Sequence, residues 1–177
     1  MRRSLMGLSA LLLFGCQDKT LKKTNDEGQE AEKNNKIFTK LTAQTTGITF
    51  ENRLVENDTL NYFTYPYIYM GGGVSAGDIN SDGLTDLFFT GNMVSNRLYL
   101  NRGNLKFEDI TIKSGLEGDN RWYTGTTMAD VNGDGLLDIY CLVAGQSGNK
   151  ENQLFINKGD NRFEGRSAVY GLNAAGN

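Results

Sequence analysis

The chain has 177 residues, a formal net charge of −3, 22 glycines, one proline and no histidine. This length suits one domain, and abundant glycine with almost no proline indicates short strands joined by tight turns. The absence of histidine removes the most frequent general base and the usual zinc ligand, and the mild acidity, without clustered Lys and Arg, argues against a nucleic-acid partner.

Residues 1–15 predict a secretory signal. Arg2 and Arg3 precede a ten-residue apolar run from Leu5 to Phe14, which is too short to cross a bilayer as a mature helix. The run leads into Cys16 through "LFGC", which resembles the bacterial lipoprotein box. We therefore expect cleavage before Cys16 and lipidation of that cysteine. The alternative is an ordinary signal peptide followed by a chance cysteine.

Residues 16–36 predict a lipidated cysteine followed by a flexible tether. Only Leu21 and Ala31 are apolar in the stretch "QDKTLKKTNDEGQEAEKNNK", so it cannot bury enough surface to fold. Asp18 lies just behind the lipidated cysteine and resembles signals that direct some Gram-negative lipoproteins to the cell surface. We therefore expect an exported protein held at the outer membrane or cell surface, with the membrane as one partner and residues 37–177 as the folded region.

Internal repetition is the main organisational signal of the folded region. The stretch "DINSDGLTD" at 78–86 recurs as "DVNGDGLLD" at 130–138, and "NRLYLNRGNLKFEDI" at 96–110 recurs as "NQLFINKGDNRFEGR" at 152–166. A third element ends each unit and also precedes the first one. Its three copies lie at 38–48, 107–116 and 163–172. The chain therefore contains the end of one unit and two complete units.

Each complete unit predicts four short strands. Apolar residues at successive positions, as in Leu87-Phe88-Phe89, indicate strands covered on both faces, because neighbouring strand residues face opposite sides. The pattern predicts an all-β fold of propeller-type blades, a partial propeller with two four-stranded repeats plus one preceding strand. The predicted strands lie at 73–77, 87–90, 97–101, 106–111, 125–129, 139–143, 153–157 and 162–167.

The two nine-residue loops predict calcium sites. Side-chain oxygens fall at loop positions 1, 3, 5 and 9, glycine at position 6 permits the backbone reversal, and the carbonyl at position 7 supplies a fifth donor. Hard oxygen donors without nitrogen or sulfur favour Ca²⁺. We therefore predict two structural Ca²⁺ sites. The first is Asp78, Asn80, Asp82, Leu84 and Asp86 around Gly83, and the second is Asp130, Asn132, Asp134, Leu136 and Asp138 around Gly135.

The two alternatives to a strand-to-strand calcium loop are an EF-hand and a metal-free acidic turn. An EF-hand requires Glu at position 12, where this chain has Phe89 and Cys141, and a strand rather than a helix follows each loop. Metal-free acidic turns are the second alternative, because Asn, Asp and Gly favour turns. Retention of every donor position in both copies favours metal, since three unneutralised carboxylates would repel one another and raise their pKa values.

The stretch "GGGVSAGDINSDGLTDLFFTGNMVSNRLYLNRGNLKFEDIT" resembles the FG-GAP or VCBS repeat of extracellular bacterial proteins and of the integrin α-subunit propeller. Together with the upstream "GITFEN", it is similar to the cartilage-acidic-protein-like and ASPIC/UnbV-associated family, many of whose members are lipoproteins. The resemblance covers about residues 37–177. It implies a seven-bladed propeller with calcium between the first and second strands of a blade, of which this chain supplies an N-terminal portion.

The other motifs of the folded region carry no catalytic pattern. Tyr65, Tyr67 and Tyr69 are placed on one face of an extended segment, where they either pack the sheet or bind sugars or bases. The glycines at 71–73 lack a phosphate-binding pattern and predict close strand packing. Cys141 lies in an apolar run and predicts a buried hydrophobe. The hydroxyls Ser75, Thr126 and Thr127 lack a triad partner.

These observations favour a non-catalytic, calcium-stabilised binding module of an envelope lipoprotein, with an unidentified protein or glycan ligand. One alternative is the N-terminal part of a glycan-active enzyme whose catalytic groups lie in other regions. Another is a nucleic-acid-binding protein, which the acidic balance disfavours. The acidic residues that paired-carboxylate hydrolysis would need are assigned to the two loops.

Overall fold

The computed structural model describes residues 37–119, 121–146 and 148–175. The predicted signal peptide, Cys16 and the tether lie outside these residues. All helices and strands described below belong to a unit that begins at Thr39. In the described part of the chain, no helix has the length and apolar character needed to cross a membrane.

The described residues form two four-stranded antiparallel sheets, which we call blade 1 and blade 2. Blade 1 has the order β1-β2-β3-β4 and blade 2 the order β5-β6-β7-β8, so within each blade every strand pairs with its neighbour in sequence. This arrangement confirms the predicted all-β blades. The strands are β1 Val74–Gly77, β2 Asp86–Phe89, β3 Arg97–Asn101, β4 Phe107–Asp109, β5 Trp122–Ala129, β6 Asp138–Ala144, β7 Gln153–Asn157 and β8 Phe163–Gly165.

Three short helices accompany the sheets in the part of the chain that the structure describes. The one-turn helix α1 spans Ala43–Thr46, a 3-10 turn spans Ile68–Met70 ahead of β1, and the one-turn helix α2 spans Thr111–Ser114 after β4. The Thr42 side chain caps α1 by accepting a hydrogen bond from the Thr45 N–H, and left-handed Gly47 ends it.

The structure corrects four of the predicted strands. β4 and β8 end at Asp109 and Gly165 because the chain turns directly after them, whereas β5 begins earlier, at Trp122, with a register shift between Tyr123 and Gly125. The predicted preceding strand is wrong: residues 38–40 align with β4 and β8, yet from 37 to 73 the structure has no strand. Among the described residues no strand hydrogen-bonds with this segment, so the repeated sequence alone does not make it a strand.

The main core lies between the two blades. Phe88, Leu98 and Leu100 of blade 1 are fully buried and belong to one cluster with residues of blade 2. The contributions from blade 2 to this cluster are Tyr123, Ile139, Cys141, Val143 and Phe155. Burial of Cys141 confirms its prediction as a hydrophobe, and burial raises the pKa of its thiol to about 12.

Glycine allows the first strands of the two blades to approach closely. A Cβ on Gly73 would lie 2.6 Å from the Thr126 nitrogen, and one on Gly72 would lie 1.9 Å from the Thr90 carbonyl oxygen. No side chain larger than hydrogen fits at either position without moving backbone. Close packing is therefore confirmed at Gly73, which lies against β5, and at Gly72, which lies against Thr90 directly after β2, whereas a Cβ on Gly71 would have no atom within 4 Å.

The opposite face of blade 1 is covered by the segment that follows α1. The Phe50 ring stacks on Phe89 at a centroid distance of 5.1 Å, and Phe89 meets Tyr99 edge to face at 5.7 Å. The Thr49 N–H donates to the Tyr99 hydroxyl at 3.2 Å. Blade 1 is therefore covered on both faces, as its continuous apolar strands require.

Candidate metal sites

The first loop joins β1 to β2 and folds back on itself through two left-handed residues, Ser81 (φ 61°) and Gly83 (φ 83°). The left-handed conformation at Gly83 confirms the role predicted for the position-6 glycine. The reversal brings the side chains at positions 1, 3 and 5 to the inner side of one turn. The second loop, between β5 and β6, repeats this conformation with Gly133 (φ 77°) and Gly135 (φ 85°).

Loop N–H groups point at the side-chain oxygens of the first loop. Asp78 accepts hydrogen bonds from the Asp82 N–H at 3.1 Å and the Gly83 N–H at 2.8 Å. The Gly83 N–H is the main reason why the pKa of Asp78 lies below its usual value. Asn80 accepts from the Asp82 N–H at 3.2 Å, and Asp82 accepts from the Leu84 N–H at 2.8 Å.

The second loop repeats this hydrogen-bond pattern residue by residue. Asp130 accepts from the Asp134 N–H at 3.2 Å and from the Gly135 N–H at 2.9 Å. The Gly135 N–H is the main cause of the lowered pKa of Asp130. Asn132 accepts from the Asp134 N–H at 2.9 Å, and Asp134 accepts from the Leu136 N–H at 2.9 Å.

The aspartates at position 9 differ from the others because they are buried. Asp86 and Asp138 have no exposed surface. The two oxygens of Asp86 accept N–H groups from Ile79 at 3.0 Å and from Asn101 at 2.8 Å. Asp86 therefore joins the loop to the end of β3. Burial raises its pKa, and the nearby negative charges of Asp82 and Asp78 add to that effect.

Asp138 occupies the equivalent position in blade 2. Its oxygens accept N–H groups from Val131 at 3.0 Å and from Asn157 at 2.8 Å. Both position-9 carboxylates thus connect the start of their loop to the third strand of their own blade. The sequence predicted them as metal ligands, and the structure adds this strand-joining contact.

The donor chemistry of each loop fits a hard cation, because only oxygen atoms are offered. The structure brings the side chains at positions 3 and 5 into contact: in the first loop the Asn80 amide donates to Asp82 at 3.0 Å, and in the second the Asn132 amide donates to Asp134 at 2.9 Å. Among the described residues, no group of three or more His, Cys, Asp or Glu side chains converges as a metal cluster. Ligation by the ten predicted residues remains a prediction.

Two asparagines that the sequence analysis did not single out support the loops. The Asn101 amide donates to the Thr85 carbonyl at 2.8 Å, within blade 1. The Asn157 amide donates to the Leu137 carbonyl at 3.1 Å and also to the Ile79 carbonyl of the first loop at 2.8 Å. The sequence signal that could have revealed them is the recurrence of asparagine at the end of the third strand of each blade. Asn157 links the two candidate sites.

The aromatic segment ahead of β1 differs from its prediction. Residues 65–70 are not extended, because the Tyr65 N–H donates to the Asn61 carbonyl at 2.8 Å and a 3-10 turn follows. Tyr65, Tyr67 and Tyr69 therefore do not share one face of a strand. Tyr65 instead meets Trp122, the first residue of β5, edge to face at 5.5 Å.

Residues 78–141, from the first candidate loop through the second and into β6, match the family model described as an FG-GAP-like repeat. The chain contains an FG-GAP-like repeat. This match confirms the resemblance inferred from the loop motif and its spacing. An FG-GAP-like repeat in two four-stranded blades indicates a β-propeller-like interaction module.

Two relatives extend the comparison of the FG-GAP-like repeat. The chain is 38% identical over 72 residues to human cartilage acidic protein 1 and 36% identical over 69 residues to its mouse counterpart. The matches cover 40% and 39% of this chain and 11% of each relative. The similarity therefore concerns a repeat-sized portion of much longer proteins.

Proposed function

We propose that this chain is a calcium-stabilised, β-propeller-type interaction module of a surface lipoprotein and is non-catalytic in this portion. The observation that carries the proposal is the duplication of the loop. Both copies carry the same acidic side chains and reverse direction at a left-handed glycine. Each copy is also fixed to its blade through a buried aspartate. The FG-GAP-like match over both loops supports the same conclusion.

Calcium would neutralise part of the negative charge of the three aspartates in each loop. Asp78, Asn80, Asp82, Asp86 and the Leu84 carbonyl would hold one ion, and Asp130, Asn132, Asp134, Asp138 and the Leu136 carbonyl would hold the other. The bound ion supplies two positive charges against three aspartates in each loop. Because the unfolded chain lacks this arrangement, calcium binding would add to the free energy of unfolding.

Thermal melting tests the calcium component. We expect the melting temperature of the purified protein to be higher in 1 mM CaCl₂ than in EDTA, because calcium binds only the folded loops. A matching concentration of MgCl₂ should give a smaller shift, since magnesium accepts a crowded protein cage poorly. Equal melting temperatures with calcium and with chelator would refute a stabilising calcium site.

Single-site variants separate the two loops. Asp82→Ala and Asp134→Ala should each remove one of two equivalents of bound calcium in equilibrium dialysis, because each takes a carboxylate from one loop only. Asp58→Ala, a change at an exposed acid outside both loops, is the matched control and should retain both equivalents. Full calcium binding by Asp82→Ala would contradict the predicted ligand set.

The envelope location rests on the sequence of residues 1–36. Export would cleave the chain before Cys16, and a lipid on that cysteine would hold the module at the outer membrane or cell surface. Mass spectrometry of the N-terminal peptide from membranes of an expressing Gram-negative host should show acylated Cys16, and Cys16→Ala should release the protein from the membrane fraction. An unmodified Cys16 in the mature protein would overturn this part of the proposal.

A further inference from the structure

A cavity lies between the segment ahead of β1 and the start of β5. Its volume is about 460 Å³, within the range of small-ligand sites in proteins. The lining residues come from three separated stretches of the chain and contain no charged side chain. They are Asn57, Thr59, Leu60, Tyr65, Trp122 and Gln146.

Two aromatic rings form one corner of this cavity. Tyr65 and Trp122 are half-buried, their ring centroids are 5.5 Å apart, and their planes meet at 85°. Rings fixed at right angles present apolar surface in two directions. The C–H face of a pyranose ring packs on such a surface, while its hydroxyl groups remain free to reach polar neighbours.

Amide and hydroxyl groups surround the corner. The Asn57 side-chain oxygen is held by the Thr59 N–H and the Leu60 N–H, each at 2.9 Å, which fixes the direction of its amide. The Gln146 amide nitrogen donates to the Thr64 carbonyl, which ties the other side of the cavity to the same segment. Neutral donors and acceptors beside an aromatic surface suit hydroxyl groups better than charged ligands.

The charges near the cavity disfavour a nucleic acid. Stacking of bases is normally accompanied by a basic groove that follows the phosphates. The adjacent cation, Arg121, is already paired with Asp119 at 2.8 Å and has 14% of its side chain exposed. Its guanidinium also donates to the Glu151 carbonyl at 2.6 Å.

We propose that the Tyr65–Trp122 corner binds an uncharged carbohydrate, of the size of one or two pyranose units. This inference rests on the proposed role as an interaction module and gives that module a ligand class. It does not depend on calcium. Trp122 is the first residue of β5, and the second candidate loop follows the last residue of that strand. At about 3.3 Å per residue, the two ends of β5 are roughly 23 Å apart.

Trp122 is the only tryptophan of the chain, so its fluorescence reports on this cavity. Purified protein is titrated with cellobiose, maltose and N,N′-diacetylchitobiose, and a neutral-glycan array is screened in parallel. We expect a saturable change in Trp122 emission with at least one neutral glycan. Oligo-dT and a sialylated glycan, which carry negative charge, should produce none.

Variants connect binding to the corner. Tyr65→Ala keeps the fluorescent reporter and should weaken binding about tenfold or more, since it removes one of the two ring surfaces. Gln146→Ala should also weaken sugar binding, and because the position is exposed the change carries little risk to folding. Phe63→Ala is the matched control, because Phe63 is an aromatic residue with 93% of its surface exposed outside the cavity; it should change affinity less than about twofold.

The sugar titrations and the calcium melting experiments test the carbohydrate site and the calcium sites separately. Absence of binding to every neutral glycan, equal affinity in Tyr65→Ala and wild type, or binding of oligo-dT in place of sugar would overturn the carbohydrate site. The titrations are repeated in CaCl₂ and in EDTA at a temperature where both forms remain folded. Sugar binding without any effect of calcium on the melting temperature would refute the calcium proposal alone. A calcium effect on the melting temperature without sugar binding would refute the carbohydrate site alone.

Discussion

The aspartates of one loop have the same chemistry but different environments. Asp82 is exposed, whereas Asp86 is fully buried and accepts N–H groups from both the loop and β3. A side chain in such a position stabilises the fold, because its loss leaves two N–H donors without an acceptor. Position 9 of the motif therefore has a structural role that is independent of any ion.

Asp86→Asn should lower the free energy of unfolding by about 1–3 kcal/mol. The amide nitrogen would face one of the two N–H donors that the carboxylate accepts. Urea denaturation in EDTA measures this loss without any contribution from calcium. Asp82→Asn, at an exposed position of the same loop, is the control and should change stability by less than about 0.5 kcal/mol under those conditions. Equal losses in both variants would contradict the strand-joining role of Asp86.

The thiol of Cys141 should be inert in the folded protein. It is fully buried, and burial raises its pKa to about 12, so the reactive thiolate is almost absent at pH 8. Iodoacetamide labelling followed by peptide mass spectrometry should leave the Cys141 peptide unmodified in buffer and modify it in urea. Rapid labelling without denaturant would show that the core between the blades opens readily.

At the scale of elements, the contact between β1 and β5 depends on residues without side chains. Gly73 lies against Gly125 and the Thr126 nitrogen, and both of these neighbours are backbone. Backbone in a paired strand cannot shift as a flexible side chain can, so an added methyl group must separate the blades. The close approach in turn closes the core that contains Phe88 and Cys141.

Gly73→Ala should therefore destabilise the protein by about 1–3 kcal/mol. Gly165→Ala is the control, because Gly165 has no atom within 4 Å of its would-be Cβ and no left-handed φ. The control should be neutral or slightly stabilising, since alanine restricts the unfolded chain. Chemical denaturation of both variants measures the difference, and a neutral Gly73→Ala would show that the blades can separate at no cost.

At the scale of the whole described unit, Asn157 connects the candidate sites of the two blades. Its amide donates to the Leu137 carbonyl within the second loop and to the Ile79 carbonyl within the first. The Val131 position of blade 2 is 40% exposed, whereas its counterpart Ile79 is 1% exposed. The first loop is thus supported by its neighbouring blade as well as by its own.

Asn157→Ala should increase hydrogen exchange in both loops, 78–86 and 130–138, because one side chain is bonded to each. Asn101→Ala removes the equivalent amide of blade 1, which donates within its own blade to Thr85, and should affect the first loop alone. Hydrogen–deuterium exchange with mass spectrometry distinguishes these patterns. An Asn157→Ala variant that changes only the second loop would contradict coupling between the blades.

Local sequence determined the strands, the repeat and the loop conformation. The repeated Asp–Asn–Asp–Gly pattern and the apolar runs act over a few residues, so they predicted β2, β3, β6 and β7 to within about two residues, and the left-handed Gly83 and Gly135. The predicted extended segments were wrong where no strand paired with the segment or where a side chain hydrogen-bonded to the backbone and turned the chain. Within the described residues, the segment at 38–40 pairs with no strand. The Asn61 side chain accepts N–H groups from Phe63 and Thr64, which turns the chain ahead of Tyr65.

Tertiary structure alone decided which distant residues meet. Three contacts join residues from different elements: Asp86 with Asn101 of β3, Asn157 with Ile79 of blade 1, and Tyr65 with Trp122. Periodicity predicts which face of a strand is apolar, but it carries no information on what that face touches. Sequence therefore determined how each blade is built, and packing between blades determined where the loops are fixed and where a ligand-sized cavity forms.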